Sequence, residues 1–196
     1  MKYKTIVIDP PWHIAAIPQK QITKKTKGWR FTKTHVQKYL DDNKNLDLPY
    51  KSMTDKELLE WKLPIELDDN AVMFMWVVNS KIQLGIKLLE NYGFTLKRLM
   101  AWQKQVGRTN KNTPLNWIRF HGFESNAEFI LFGKRGKNIL DYKKPIQVNF
   151  EARVTGHSKK PTEFYNMIRR STPDPRIDIF ARKRHEGFDS YGNEVE

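Results

Sequence analysis

The sequence predicts an α/β fold, a sheet covered by helices on both faces. Three observations carry that expectation. Short, continuous apolar runs, residues 4–8 and 71–78 being the clearest, have the length and β-branched content of strands buried on both sides. Between the runs lie amphipathic segments that open on helix-capping residues. The 196 residues are 39% apolar and include 11 Phe, 7 Tyr and 6 Trp, enough for a core. No repeat, low-complexity stretch or linker divides them, so a single domain over 1–196 is expected.

In chain order, residues 4–8 read as a strand that Asp9-Pro10-Pro11 ends, because proline cannot donate to a ladder. Residues 13–48 are polar and basic, a long loop with at most a helical turn near 36–40; a loop of that length in a compact domain is functional or disordered. Thr54-Asp55-Lys56-Glu57 is a capping box that opens a short helix to about 62. After the strand at 71–78, Ser80 is placed to cap a helix to 91 and Gly93 to end it. Strands follow at 96–102, 127–132, 146–150 and 176–181, with a second long loop at 103–124. Ser158 or Thr162 can cap a helix through 170, with Pro161 in its first turn. Trp61, Trp76 and Trp102 are expected to pack on the sheet. Ligands bind beyond the carboxyl ends of strands in such sheets, and the two long loops leave from strand ends.

The chain has 35 Lys+Arg against 22 Asp+Glu, a net charge of +13 that attracts polyanions. Its distribution matters more. Residues 19–38 hold seven basic residues, among them Lys24, Lys25, Lys27 and Arg30, and no acid. Residues 91–123 hold six, among them Arg108, again with no acid. Trp29, Phe31, Trp117 and Phe120 are interleaved. Cations neutralise phosphates and aromatic faces stack bases, so the two runs together favour nucleic acid as partner; either alone reads equally well as a solvated surface. Neither run has an apolar stripe at helical spacing, which argues against a membrane-surface helix.

With no Cys, disulfides and thiolate metal sites are excluded, and a reducing cytoplasm is the expected location. The longest apolar run is eight residues, against the roughly 20 a spanning helix needs. No secretory leader pattern is present. The five histidines lack metal-ligand spacing, so no metal is expected.

Asp9-Pro10-Pro11-Trp12 directly follows the first strand. The exocyclic amine of adenine is a poor nucleophile, because its lone pair is delocalised into the ring. Accepting hydrogen bonds from both its N–H groups favours a pyramidal nitrogen and returns the lone pair. The Asp9 carboxylate and the Pro10 carbonyl can be those two acceptors. The prolines fix the backbone and bring no competing N–H. Trp12 offers a flat face for a base. A rigid strand-ending turn with a packed Trp is the alternative.

The remaining motifs decide between the two. Asp9-Pro10-Pro11-Trp12, Leu48-Pro49-Tyr50 with Met53-Thr54, the strand carrying Trp76, Glu128 ahead of Gly133-Lys134-Arg135-Gly136, His157-Ser158-Lys159-Lys160-Pro161 with Glu163 and Tyr165, residues 176–182, and Tyr191-Gly192-Asn193-Glu194 occur in one order. In this the sequence resembles the adenine-N6 methyltransferase family that includes the catalytic subunit of the eukaryotic mRNA adenosine methyltransferase, and bacterial and phage members. The resemblance covers nearly all of the chain outside residues 14–47. It implies a Rossmann-like, S-adenosylmethionine-dependent methyltransferase sheet in permuted order, with the catalytic Asp-Pro-Pro-Trp strand first and the cofactor strand late.

By resemblance, Asp9, Pro10, Pro11 and Trp12 are catalytic, and Trp12 and Tyr50 flank the target adenine. Ile8, Asp9, Phe180, Arg182, Arg184, His185, Asn193 and Glu194 bind the cofactor. Glu128, Lys134 and Arg135 lie near the target nucleotide or the cofactor carboxylate. His157 reads as a cap or loop anchor more than as a base. Family members often carry a segment before the catalytic strand that contacts the cofactor. This sequence starts at the strand, so weaker cofactor binding or a substituting loop is expected. The expected activity is methyl transfer to adenine N6 in DNA. RNA is the second substrate, and a non-catalytic nucleic-acid-binding subunit is the rival from another class. A homodimer or a related partner subunit is compatible with the family.

Overall fold

The computed structural model describes residues 1–13, 52–105, 118–120, 123–155 and 159–192. One seven-stranded sheet organises them. The strands are β1 (Lys2–Ile8), β2 (Glu66–Val77), β3 (Thr95–Gln105), β6 (Ala127–Arg135), β7 (Asn149–Arg153), β8 (Arg176–Ile179) and β9 (Asp189–Tyr191). A separate hairpin pairs β4 (Ile118–Phe120) with β5 (Phe123–Ser125). The helices are α1 (Asp55–Glu60), α2 (Ile82–Asn91) and α3 (Thr162–Ser171). Strand order is β7-β3-β6-β2-β1-β8-β9, and only β6 runs antiparallel to its neighbours. This is the α/β class expected.

The continuous apolar runs are buried on both faces, as their composition demands. Ile6, Ile8, Met73, Met75, Leu131 and Ile179 join one core with Leu58 of α1 and Leu88 and Leu89 of α2. Val7, Phe74, Trp76, Trp102 and Ile130 join the other with Phe164, Tyr165 and Ile168 of α3. Trp76 and Trp102 are buried where packing was expected, and Trp61 is partly buried against the first core. Arg176, at the start of β8, is buried and closes the end of α3, with Nη2 donating to the Arg169 carbonyl at 2.8 Å.

The capping box is present. Thr54 Oγ1 accepts from the Glu57 N–H at 3.2 Å, and the Glu57 carboxylate accepts from the Thr54 N–H at 2.7 Å. Gly93 ends α2 at φ +80°, a left-handed conformation that a side chain disfavours.

Several elements differ from expectation. Ser80 caps nothing. It lies inside a 3₁₀ turn, Asn79–Lys81, and α2 starts after Lys81 with no side-chain cap. Pro161, not Thr162, is the residue flanking α3; Ser158 lies outside the described residues. β2 begins at Glu66 because residues 66 and 67 pair with Lys2 and Tyr3, although they carry no apolar run. β3 extends to Gln105, and β4 and β5 occupy part of the stretch expected to be loop. β7 lies three residues later than expected. It alternates, with Phe150 and Ala152 buried and their neighbours exposed, whereas Ile146 packs from outside the ladder. β8 stops before Phe180, whose φ of +60° breaks the ladder. β9 is three residues long and polar, and it has no signal in the sequence.

From β1 the chain moves to β2 on one side, and from β8 to β9 on the other. The carboxyl ends of β1 and β8 therefore form the switch point at which open α/β sheets bind ligands.

Candidate active site

Asp9 and Phe180 stand at that switch point. The Asp9 N–H donates to the Ile179 carbonyl at 3.2 Å, so β1 and β8 are clamped where their side chains fan apart. Alternation along β1 sends Asp9 to the face that carries Val7, toward α3. There it meets Lys160, with Nζ 3.3 Å from Asp9 Oδ2. The same ammonium lies 2.9 Å from Glu128 Oε2 and 4.7 Å from the centre of the Trp76 ring. Glu128 Oε1 is 2.6 Å from Lys104 Nζ. Four charges of alternating sign thus run from β3 across β6 to the ends of β1 and β8.

Their ionisation follows from burial and neighbours. Burial raises the Asp9 carboxyl above the usual aspartate range, opposed by Lys160 and Arg182. Burial acts to raise Glu128 as well, but Lys160 and Lys104 outweigh it and hold Glu128 below its ordinary value. Burial opposes charge on Lys160, yet Asp9 and Glu128 keep its ammonium more firmly protonated than usual. The site therefore holds a fixed cation beside two carboxylates, of which Asp9 is the more easily protonated.

The Asp-Pro-Pro-Trp turn is tied down on all sides. The Pro10 carbonyl accepts from the Trp12 N–H at 2.8 Å, and the Pro11 carbonyl from the Met53 N–H at 2.9 Å. Pro10 keeps one lone pair free of that turn bond. Trp12 Nε1 donates to the Trp76 carbonyl at 3.1 Å, and the indole is 6% exposed. Its ring belongs to the core under α1 and α2, so the open flat face expected of it is covered.

Behind Asp9 lies a second polar layer. The Tyr165 hydroxyl of α3 donates to Asp178 Oδ2 at 2.8 Å, and both residues are buried. Burial pushes the Asp178 carboxyl up to about 8, against the Tyr165 hydrogen bond. The Tyr165 ring stacks on His185, centroids 3.3 Å apart at 8°. Burial and Lys183 hold His185 down to about 4, so it is neutral at physiological pH. Past β8, the Phe180 ring lies 4.8 Å from Trp61. The Phe180 and Ala181 N–H groups donate to the Tyr191 carbonyl at 2.7 and 3.3 Å. Gly192 follows, and a Cβ there would stand 2.6 Å from the Ala181 carbonyl, so only glycine allows this approach. Arg184 lines a cavity of about 360 Å³ with Phe188, Asp189, Ser190 and Gly192.

The structure thus brings Ile8, Asp9, Pro10, Pro11, Trp12, Glu128, Phe180, Arg182 and His185 to one end of the sheet. It separates Lys134 and Arg135 from them. These pair with Val72 and Ala71, near the amino end of β2. Six residues along β6 put Lys134 about 20 Å from Glu128, at the opposite end of the strand. Motif order suggested proximity; the antiparallel run of β6 sends it the other way. Lys24, Lys25, Lys27, Arg30, Tyr50, Arg108, His157, Asn193 and Glu194 lie outside the described residues. In the sequence Lys160 stands out only as part of the His157–Pro161 motif, and Lys104 only as one of the six basic residues between 91 and 123. A lysine just ahead of a helix-opening proline was the available signal for the first. Nothing local marks the second.

A family model described as MT-A70 matches residues 3–194. The human N(6)-adenosine-methyltransferase catalytic subunit METTL3 is 26% identical over 191 residues, covering 92% of this chain and 26% of the human protein. A probable N(6)-adenosine-methyltransferase MT-A70-like protein of Oryza sativa is 28% identical over 162 residues, 77% of this chain and 21% of its own length. Type II methyltransferase M.MunI of Mycoplasma sp is 26% identical over 203 residues, 99% of this chain and 78% of its own length. The chain spans about a quarter of the length of most of the relatives it matches.

Proposed function

The chain belongs to the MT-A70 family, and from that premise we propose that it transfers a methyl group from S-adenosylmethionine to the N6 amine of adenine in nucleic acid, with DNA as the first substrate. The observation that carries the reading is the partly buried Asp9–Lys160–Glu128 constellation at the switch point. Its chemistry fits the proposed cofactor: the Lys160 ammonium and the Arg182 guanidinium suit an amino-acid carboxylate, and Asp9 suits an ammonium or an amine N–H. When bound, S-adenosylmethionine supplies a methyl group activated on a sulfonium.

The residues of the chain then have defined work. Asp9 and the free lone pair of Pro10 accept the two N–H groups of the target amine and turn its lone pair outward. The clamp between Asp9 and Ile179 holds the carboxyl ends of β1 and β8 together beneath the site. Neutral His185, held flat on Tyr165, would offer the cofactor a hydrogen bond without adding a further cation to the site. Tyr50 would flank the base, and Asn193 and Glu194 would take the adenine and ribose of the cofactor. The target base reaches this recess flipped or single-stranded.

DNA is preferred because a relative covered over 78% of its own length is named a type II methyltransferase. RNA is the competing substrate, supported by the relatives named for adenosine. The human relative is named a catalytic subunit; a second copy of this chain or a related subunit is the partner we propose. Labelled S-adenosylmethionine offered with matched double-stranded DNA, single-stranded DNA and RNA, followed by nucleoside analysis, decides among these. N6-methyladenine in a DNA pool is the expected result. Methylation of RNA alone replaces the substrate, and no transfer without cofactor binding refutes the enzyme.

A further inference from the structure

Lys104 has no part in the reading above, yet it ends the charge array. It lies on β3 two residues beyond Trp102, the Cα partner of Glu128 across the antiparallel β3–β6 ladder. Side chains alternate along a strand, so Lys104, Trp102 and Glu128 share one face, and Lys104 is a diagonal neighbour of the carboxylate. The Lys104 N–H donates to the Asn126 carbonyl at 2.9 Å, which fixes the end of β3 beside the start of β6. Its ammonium is then 2.6 Å from Glu128 Oε1 and 5.3 Å from the Trp102 ring centre.

The distances define a competition. Lys160 is nearer to Glu128, at 2.9 Å, than to Asp9, at 3.3 Å. With Lys104 in place, two cations serve two carboxylates. Without it, Glu128 and Asp9 share one ammonium in a site that excludes much of the water, and like charges so close cannot both ionise easily. The other charged or titratable groups that act on Asp9 are Arg182, Asp178 and Tyr165.

We propose that Lys104 is a positioning residue: by holding and neutralising Glu128 it releases Lys160 to Asp9, and so keeps Asp9 ionised to receive the target amine. The last clause rests on the methyl-transfer reading; the charge coupling does not. The test therefore begins with a measurement that needs no turnover. The whole chain is labelled with ¹³C at aspartate carboxyls and titrated by NMR, the Asp9 signal being identified by its loss in Asp9→Asn. In Lys104→Met the Asp9 midpoint moves to higher pH. Lys104→Arg restores it, and so does adding Glu128→Gln to Lys104→Met, because the charge to be offset is gone. Glu128→Gln alone moves the midpoint to lower pH, which keeps the test decisive if Lys104→Met does not fold. Unmoved midpoints in these variants overturn the coupling. In methyl transfer, the ratio of rates at pH 6 and pH 8 falls about fivefold in Lys104→Met, the effect of one unbalanced charge at second-neighbour range. A wild-type chain that methylates nothing refutes the enzyme reading and leaves the titration to decide the coupling.

Discussion

Asp9 is held between opposing demands: burial favours its neutral form, and the proposed chemistry needs its charge. The cation beside it reconciles them. Replacing Asp9 with Ala is expected to abolish methyl transfer while nucleic-acid binding, expected of the basic runs, persists; surviving turnover in a direct assay would remove Asp9 from the mechanism. Asp178 raises a different expectation. Its folded value, about 8, stands above that of an exposed aspartate, so the folded state favours the protonated form. The stability this carboxyl contributes is full below the unfolded pKa near 4 and is lost as pH rises through about 8. Asp178→Asn, which can still accept from Tyr165, should therefore match wild type in urea unfolding at acid pH. It should be the more stable protein at pH 8.5, by a margin on the order of a few kcal/mol. An equal difference at both pH values would contradict the assignment. Asp9 was legible because Asp-Pro-Pro-Trp follows a strand. Asp178 and Lys104 were not, because their partners lie on other elements.

Among the elements, the capping box was fully legible, since its two hydrogen bonds join residues three apart. Thr54→Ala is expected to destabilise the fold by about 1 kcal/mol through α1, read as a lower urea midpoint at unchanged slope. No change would mean that Leu58, buried in the core, holds α1 unaided. The Gly93 terminator was legible for a similar local reason. The start of α2 was misread, because Ser80 has the right chemistry and the wrong turn around it. β7 was placed three residues early and β9 escaped notice for a physical reason: their stability comes from pairing at the sheet's two edges, and short edge strands need no apolar run. Lys134 and Arg135 were misplaced at this scale too. Composition gives a strand's existence but not its direction, and β6 runs against its neighbours.

For the whole molecule, the charge of +13 makes any nucleic-acid affinity depend on salt. Reversing Lys24, Lys25 and Lys27 to Glu should weaken binding and flatten the slope of log K against log salt, each lost phosphate contact removing about 0.9 from it for duplex DNA. An unchanged slope would take the first basic run out of the recognition surface. The sequence by itself determined the α/β class, the buried strands, the acid at the first strand's end and the basic character of residues 19–38 and 91–123. All of these are written in residues adjacent along the chain, where apolar runs, prolines and caps act through local backbone physics. Only the tertiary structure decided that Lys160 and Lys104 complete the charge array and that Trp12 is an anchor within the core. It alone decided that the Lys134–Arg135 pair lies at the far end of the sheet. Strand order, strand direction and register bring together residues as far apart as 9, 104, 128 and 160, and those are set by how the two cores pack, not by any short stretch of sequence.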